Sequence, residues 1–351
     1  MFGISIYMND DLSDDTKDYI SKANHRGLNG IFTSMHIPEN DINLYKDRLL
    51  DLGNEAKKNN MDLMVDISGD ALDKAGFSFE RLEELIEIGV TGLRMDYHIN
   101  NEIIAKASHF LKIGINASTI TSNDIHELKL YNANFDMLEA WHNYYPRPNT
   151  GLDRKLFIEK NYFLKENNFK VMAFIPGNIN LRIPLYKGLP TLEEHRMLSP
   201  FVAFIDLTKL GVDSIYIGDE GIDDETLIDI SEYINNDIIS VRATPETKDF
   251  ELLESLHINR EDPGRDAIRS AEARFKKIPN IIPENTIDRE KGSITIDNNK
   301  YGRYMGEIQI IINSLSGDEK VNVVGKVIKE DLPLINLIGP GQKFKIKKEE
   351  R

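Results

Sequence analysis

The chain has 351 residues, 40% apolar and 29% charged, an ordinary make-up for a soluble globular protein long enough for two domains. Its 58 acidic and 43 basic residues give a net charge of -15, which argues against nucleic acid or an anionic membrane surface as a partner. With no cysteine, disulfides, thiolate catalysis and cysteine-ligated zinc are excluded.

The first ten residues lack a basic region and a cleavage site, so they read as a strand rather than a signal peptide. No apolar run is long enough to span a bilayer, and the expected location is the cytoplasm. Residues 3–7 form the first short strand, followed by a helical pattern over 16–26. The second strand, 30–35, ends at His36 and is followed by a helix over 41–59. The third, 62–67, carries Asp66; Ser78 then caps a helix that Gly89 stops. The fourth, 92–96, ends at Asp96, and the fifth, 114–118, carries Asn116, with helices over 101–110 and 122–131. The sixth, 136–141, runs out into a crowded polar stretch: Glu139, His142, Asn143, Tyr144, Tyr145 and Arg147, stopped by two prolines and Gly151. A helix over 154–166 leads to the seventh strand, 170–175, and a long loop holding Arg182, Tyr186 and Lys187. Thr191 and Glu194 have capping-box spacing for a helix that continues beyond Pro200. The eighth strand, 213–218, ends at Asp219 and Glu220, and a last helix covers 223–234.

Eight apolar runs alternating with helices predict parallel strands with crossover connections, hence an α/β fold with a (β/α)8 TIM barrel over residues 1–236. A doubly wound sheet would need a glycine-rich turn after the first strand, and Tyr7-Met-Asn-Asp is not one. Over residues 237–351, short strands separated by Gly and Pro predict a small β-rich domain, with strands at 238–243, 292–297, 302–312, 321–328 and 344–346. The segment 249–277 reads as charged and partly helical.

Catalytic groups of such barrels sit at the carboxyl ends of the strands. Those ends collect Tyr7, Asn9, His36, Asp66, Asp96, Asn116, Glu139, His142, Asn143, Asp219 and Glu220. Acids converging on one mouth suit glycoside hydrolysis, where one carboxylic acid gives a proton while another carboxyl stays ionised. Glu139 has an alternative: it could point into the barrel and bind Arg94. Arg147, Arg182 and Lys187, in the loops after the sixth and seventh strands, suit a phosphate or carboxylate. His36, Asp66, Asp96, His98 and His142 could together hold a divalent metal, but no HxH or HExxH spacing supports one, and no metal or cofactor is expected. A lysine at a strand end and a Gly-x-Ser-x-Gly motif are both absent, which disfavours Schiff-base aldolases and serine hydrolases.

Several segments together resemble the bacterial 6-phospho-N-acetylmuramidases: Gly3-Ile-Ser-Ile-Tyr7, Phe32-Thr-Ser-Met-His36, Leu93-Arg-Met-Asp96, Ile115-Asn-Ala-Ser118, His142-Asn-Tyr-Tyr-Pro-Arg147, Thr191-Leu-Glu-Glu-His-Arg196 and Tyr301-Gly-Arg-Tyr-Met-Gly-Glu307. The resemblance covers nearly the whole chain. It implies a TIM barrel followed by a cyclophilin-like β-domain, and intracellular cleavage of 6-phospho-N-acetylmuramyl-N-acetylglucosamine in cell-wall recycling. Trp141 stands where a smaller residue is expected, and Arg182-Ile183-Pro184 where Arg-Gly-Pro is expected. The candidate catalytic carboxyls are Asp66 and Asp96 as base or nucleophile and positioning group, Glu139 as acid, and Asp219 in reserve. His36, Asn116, His142, Asn143, Arg147, Arg182 and Tyr186 are the candidate substrate contacts. The competing expectations are a metal-dependent sugar-phosphate isomerase or hydrolase, and a non-catalytic sugar-phosphate binding protein. For the second domain the expected role is a lid or a homodimer contact near Arg303 and Tyr304.

Overall fold

The structure, a computed structural model, describes residues 1–35, 42–67, 71–95, 99–275 and 278–349. Eight strands close into a parallel barrel in chain order: β1 (Phe2–Ser5), β2 (Gly30–Ser34), β3 (Asp62–Ile67), β4 (Gly92–Met95), β5 (Lys112–Asn116), β6 (Leu138–Trp141), β7 (Lys170–Ile175) and β8 (Ser214–Ile217). β1 pairs with β8, Gly3 beside Tyr216, which removes the sheet edge. The helices are α1 (Asp14–His25), α2 (Ile42–Lys58), α3 (Ala71–Lys74), α4 (Glu83–Glu87), α5 (Asn101–Ala107), α6 (Ser122–Leu130), α7 (Arg154–Glu166), α8 (Pro200–Lys209) and α9 (Asp224–Asn236). Among the described residues, no helix is long and apolar enough to cross a membrane.

The strands are buried on both faces because helices cover the outside and side chains fill the inside. Phe32, Met64, Trp141, Met172, Phe174 and Tyr216 pack together in the interior. Such large rings fit only where the facing strand has no side chain. A Cβ on Gly30 would lie 2.2 Å from the Tyr216 hydroxyl, and one on Gly114 would lie 2.9 Å from the Trp141 ring. Trp141 therefore fills the barrel core, stacked on Phe32 at 5.8 Å.

Two helix expectations change. Ser78 Oγ accepts from the Glu80 N–H, and the helix expected over 78–88 contracts to α4. Thr191 does not cap a helix: its hydroxyl accepts from the Phe174 N–H and donates to the Asn143 carbonyl, and α8 starts at Pro200 with Ser199 as its cap.

By internal contacts the chain divides into Met1–Leu227 and Ile228–Arg351. The second unit holds a seven-stranded sheet built from β9 (Ile238–Pro245), β10 (Leu256–Ile258), β11 (Ala267–Arg269), β12 (Ser293–Asp297), β13 (Ile308–Ile311), β14 (Val321–Val327) and β15 (Lys343–Lys348). The strand order is β10-β15-β9-β14-β12-β13-β11, with β15 parallel to β9 and the other pairs antiparallel. The charged 249–277 segment supplies β10 and β11 with short 3-10 turns rather than a helix.

Candidate active site

At the carboxyl end of the barrel, register brings Ser34, Asp66 and Arg94 side by side on β2, β3 and β4. Ser34 Oγ donates to Asp66 Oδ2 at 3.2 Å, and Arg94 Nη1 pairs with Asp66 Oδ1. The other terminal nitrogen of Arg94, Nη2, donates to Asn143 Oδ1. Asp66 and Arg94 are 3% and 4% exposed, so this is a buried ion pair. Such a pair persists because removing either partner would strand the other charge.

Above this floor lies a cavity of about 420 Å³ lined by Phe32, Asp66, Arg94, Asn143, Tyr144, Pro146, Phe174, Arg182, Ile183 and Pro184. Arg182 stands at its wall. Its Nη1 donates to Tyr144 Oη at 2.5 Å, and its Cζ lies 4.0 Å from the centre of the Tyr7 ring. Tyr7 is itself fixed by donating to the Gly218 carbonyl at 2.7 Å. The guanidinium is thus held by a hydroxyl and an aromatic face, with donors left over for an anion.

Asp219 explains why the loop carrying Arg182 lies where it does. Its carboxylate accepts from the backbone N–H groups of Gly177, Arg182 and Leu189 at 2.8, 3.0 and 2.9 Å. It is 1% exposed and fully engaged, so it holds the loop instead of facing substrate. A second tie runs through residues 191–196. Glu193 accepts from the Asn149 and Gly151 N–H groups and from Arg196 Nε and Nη2. Arg196 reaches on to the carbonyls of Arg147 and Gly188. Hydrogen bonds from Arg196, opposed by burial and aided by the two N–H groups, hold the Glu193 pKa down at about 2. The loops after β6 and β7 are therefore tied together by a salt-bridged segment.

Glu194, His195 and Asp206 are the one grouping among the described residues with metal-ligand proximity. Arg154 reaches both carboxylates, and His195 Nε2 lies 2.7 Å from Asp206 Oδ2, so the cation there is the guanidinium. Burial raises the Asp206 pKa, but hydrogen bonds from His195 and Arg154 outweigh it and leave the carboxyl below its ordinary value.

Other candidates lie elsewhere. His142 points out of the barrel: Nε2 meets Asn161 Oδ1 at 2.7 Å and the ring lies 4.7 Å from that of Phe157, both on α7. Burial, opposed by the Asn161 bond, lowers its pKa to about 4, so it is a neutral packing group and not a sugar contact. Glu139 is in register with Lys170, the first residue of β7, and sits in the field of the Met1 amino group. That is the amino end of the barrel, where it accepts from Trp141 Nε1 at 2.9 Å and makes no described contact with Arg94. It is remote from Asp66 and is not placed to act as the acid. Asn116 ends β5 and accepts from the Ser118 N–H. Arg147 and Tyr186 are exposed, and neither lines the Asp66 cavity. His36 and Asp96 lie outside the described residues. Tyr144 and Ser34 were not among the candidates. Ser34 could have been found, since alternation on adjacent strands places it beside Asp66.

Two family models match the chain: one described as 6-phospho-N-acetylmuramidase, N-terminal, over residues 2–232, and one as 6-phospho-N-acetylmuramidase, C-terminal, over residues 238–347. Among solved structures, a conserved Enterococcus faecalis protein of unknown function is 46% identical, with a TM-score of 0.92 covering 99% of this chain and 96% of that one. An uncharacterized B. cereus protein is 28% identical, with a TM-score of 0.79 covering 98% of each chain. No curated protein matches.

Proposed function

The chain belongs to the 6-phospho-N-acetylmuramidase family, and on that premise we propose that it hydrolyses 6-phospho-N-acetylmuramyl-N-acetylglucosamine, or a close 6-phosphorylated relative, in cytoplasmic peptidoglycan recycling. The observation that carries this reading is the cavity lined by a carboxylate, Asp66, and two arginines, Arg94 and Arg182. The substrate has two anionic groups, a phosphate and a lactyl carboxylate. In a chain of net charge -15 these need local cations.

In this reading Arg182 takes the phosphate, because Tyr144 and Tyr7 hold its guanidinium without neutralising it. Asn143 and Asn116 offer amide groups for hydroxyls or the acetamido group. Arg147 and Tyr186 serve at the exposed rim, and His36 is a further sugar contact. Asp66, paired with Arg94, is the base or nucleophile that meets the oxocarbenium-like carbon, and Asp96 assists in positioning. The second unit, for which the resemblance implies a cyclophilin-like shape, has a structural role.

The test is hydrolysis by the purified protein of the 6-phosphorylated disaccharide and its unphosphorylated counterpart. Cleavage of the first is expected with kcat/KM at least about 100-fold higher, the value of two charge-assisted hydrogen bonds to a phosphate. Arg182→Ala should remove most of that preference. An enzyme that ignored the phosphate, or cleaved neither sugar, would refute the reading.

A further inference from the structure

We propose that Glu220 is the general acid that protonates the departing sugar, a role that rests on the glycosidase reading above. With Glu139 at the far end of the barrel and Asp219 fully engaged, the acid must come from another strand end. Glu220 follows Asp219 just beyond β8, at the same end of the barrel as Asp66 on β3. Its peptide is fixed on both sides. Asp219 accepts three backbone N–H groups, and the Gly221 carbonyl accepts from the N–H groups of Asn178 at 3.3 Å and Ile179 at 3.5 Å.

Glu220 is half-buried and makes no hydrogen bond or ion pair with any described residue. It lines a cleft of about 830 Å³ together with Tyr7, Asn9, Asp10, Ile179 and Asn180. This cleft and the Asp66 cavity adjoin at one contact: Tyr7 lines the first, Arg182 lines the second, and the two stack at 4.0 Å. Arg182 thus lines the cavity that holds Asp66 and lies near enough to Glu220 for its charge to act on that carboxyl.

The surroundings separate the two carboxyls chemically. Asp66 forms a buried ion pair with Arg94. Burial raises the Glu220 pKa above its ordinary value; Asp10 and Asp219 add to that, and only Arg182 opposes it. A carboxyl held against a guanidinium and a second one that burial biases towards its protonated form suit the roles of base and acid. In the step, the bond between the anomeric carbon and the bridging oxygen breaks with its electron pair going to the oxygen. The Glu220 proton goes to that oxygen, so the aglycone leaves as an alcohol. Water then supplies hydroxyl to the anomeric carbon, and its remaining proton restores the carboxyl pair.

The experiment compares full-length wild type with Glu220→Gln and Glu220→Ala on two substrates. One is the phosphorylated disaccharide, whose leaving hydroxyl needs a proton. The other is a 2,4-dinitrophenyl 6-phospho-N-acetylmuramide, whose leaving group does not. Both variants should lose roughly 10²- to 10⁴-fold on the disaccharide and less than about tenfold on the aryl glycoside. The alkaline limb of the wild-type kcat/KM profile should vanish in Glu220→Gln. Equal losses on both substrates, or wild-type turnover of the disaccharide by either variant, would overturn the assignment. Wild type inert to both substrates would instead remove the glycosidase reading and the acid role with it, so the two failures appear in different proteins.

Discussion

Asp66 and Asp219 are both buried aspartates at barrel strand ends, yet their partners give them different work. Asp66 faces a guanidinium and a serine and borders the cavity. Asp219 faces three backbone N–H groups and holds a loop. Asp66→Asn is expected to reduce kcat on the order of 10³-fold or more while leaving Arg94 uncompensated, at a stability cost of about 3 kcal/mol. Asp219→Ala leaves three N–H groups unsatisfied, at about 1–3 kcal/mol each before relaxation. Its kinetic signature should be a raised KM as the Arg182 loop shifts. Glu139→Gln can still accept from Trp141 and should change kcat/KM less than about fivefold; a loss beyond about 100-fold would return Glu139 to the chemistry. Steady-state kinetics and denaturant titrations of the three variants separate these outcomes.

At the scale of elements, the docking of β6 on α7 depends on a neutral histidine. The His142 pKa is about 4 when folded, against 6.5 ordinarily, so between those values the unfolded chain binds the extra proton. The stability from this group is complete above pH 6.5 and is lost as pH falls towards 4, up to roughly 3 kcal/mol. His142→Gln preserves a donor towards Asn161 and cannot titrate. The difference between wild type and variant should therefore change across that window in urea unfolding, and a constant difference would refute the account. The 191–196 segment is the other such element. Arg196→Ala removes bonds to Glu193 and to three loop carbonyls, and should raise KM by roughly tenfold through loss of loop positioning.

For the whole molecule, the second unit carries a titration of opposite sign. Asp297, 5% exposed, has its pKa raised to about 7 by burial first and then by Glu307 and Asp318, with Arg289 and Arg269 opposing. The folded form holds its proton more tightly than the unfolded chain. Stability is thus greatest below the ordinary pKa of 3.8 and falls as pH rises to about 7. Asp297→Asn should stabilise the Ile228–Arg351 unit at pH 8, by on the order of 2 kcal/mol, and make little difference at pH 4. Hydrogen exchange resolved by unit measures this directly; an Asn variant no more stable than wild type at pH 8 would contradict it.

The alternation of apolar runs and helices determined the barrel, because each strand is a short apolar segment and each crossover an amphipathic one. It also determined which ends face the mouth, and so brought forward Asp66, Asn143 and Arg182. It could not determine which way each side chain points. A strand buried on both faces has no polar side to set its phase, so Glu139, His142 and Asn143 look alike in the chain. Only the closed barrel separates them: Asn143 meets Arg94 in the cavity, His142 meets Asn161 outside, and Glu139 lies at the amino end. The same closure sets Asp219 beneath a loop more than thirty residues earlier in the chain, a contact no local pattern encodes. Residue type and period are properties of the chain. Phase, depth and partner are fixed only when the strands pair and the barrel closes.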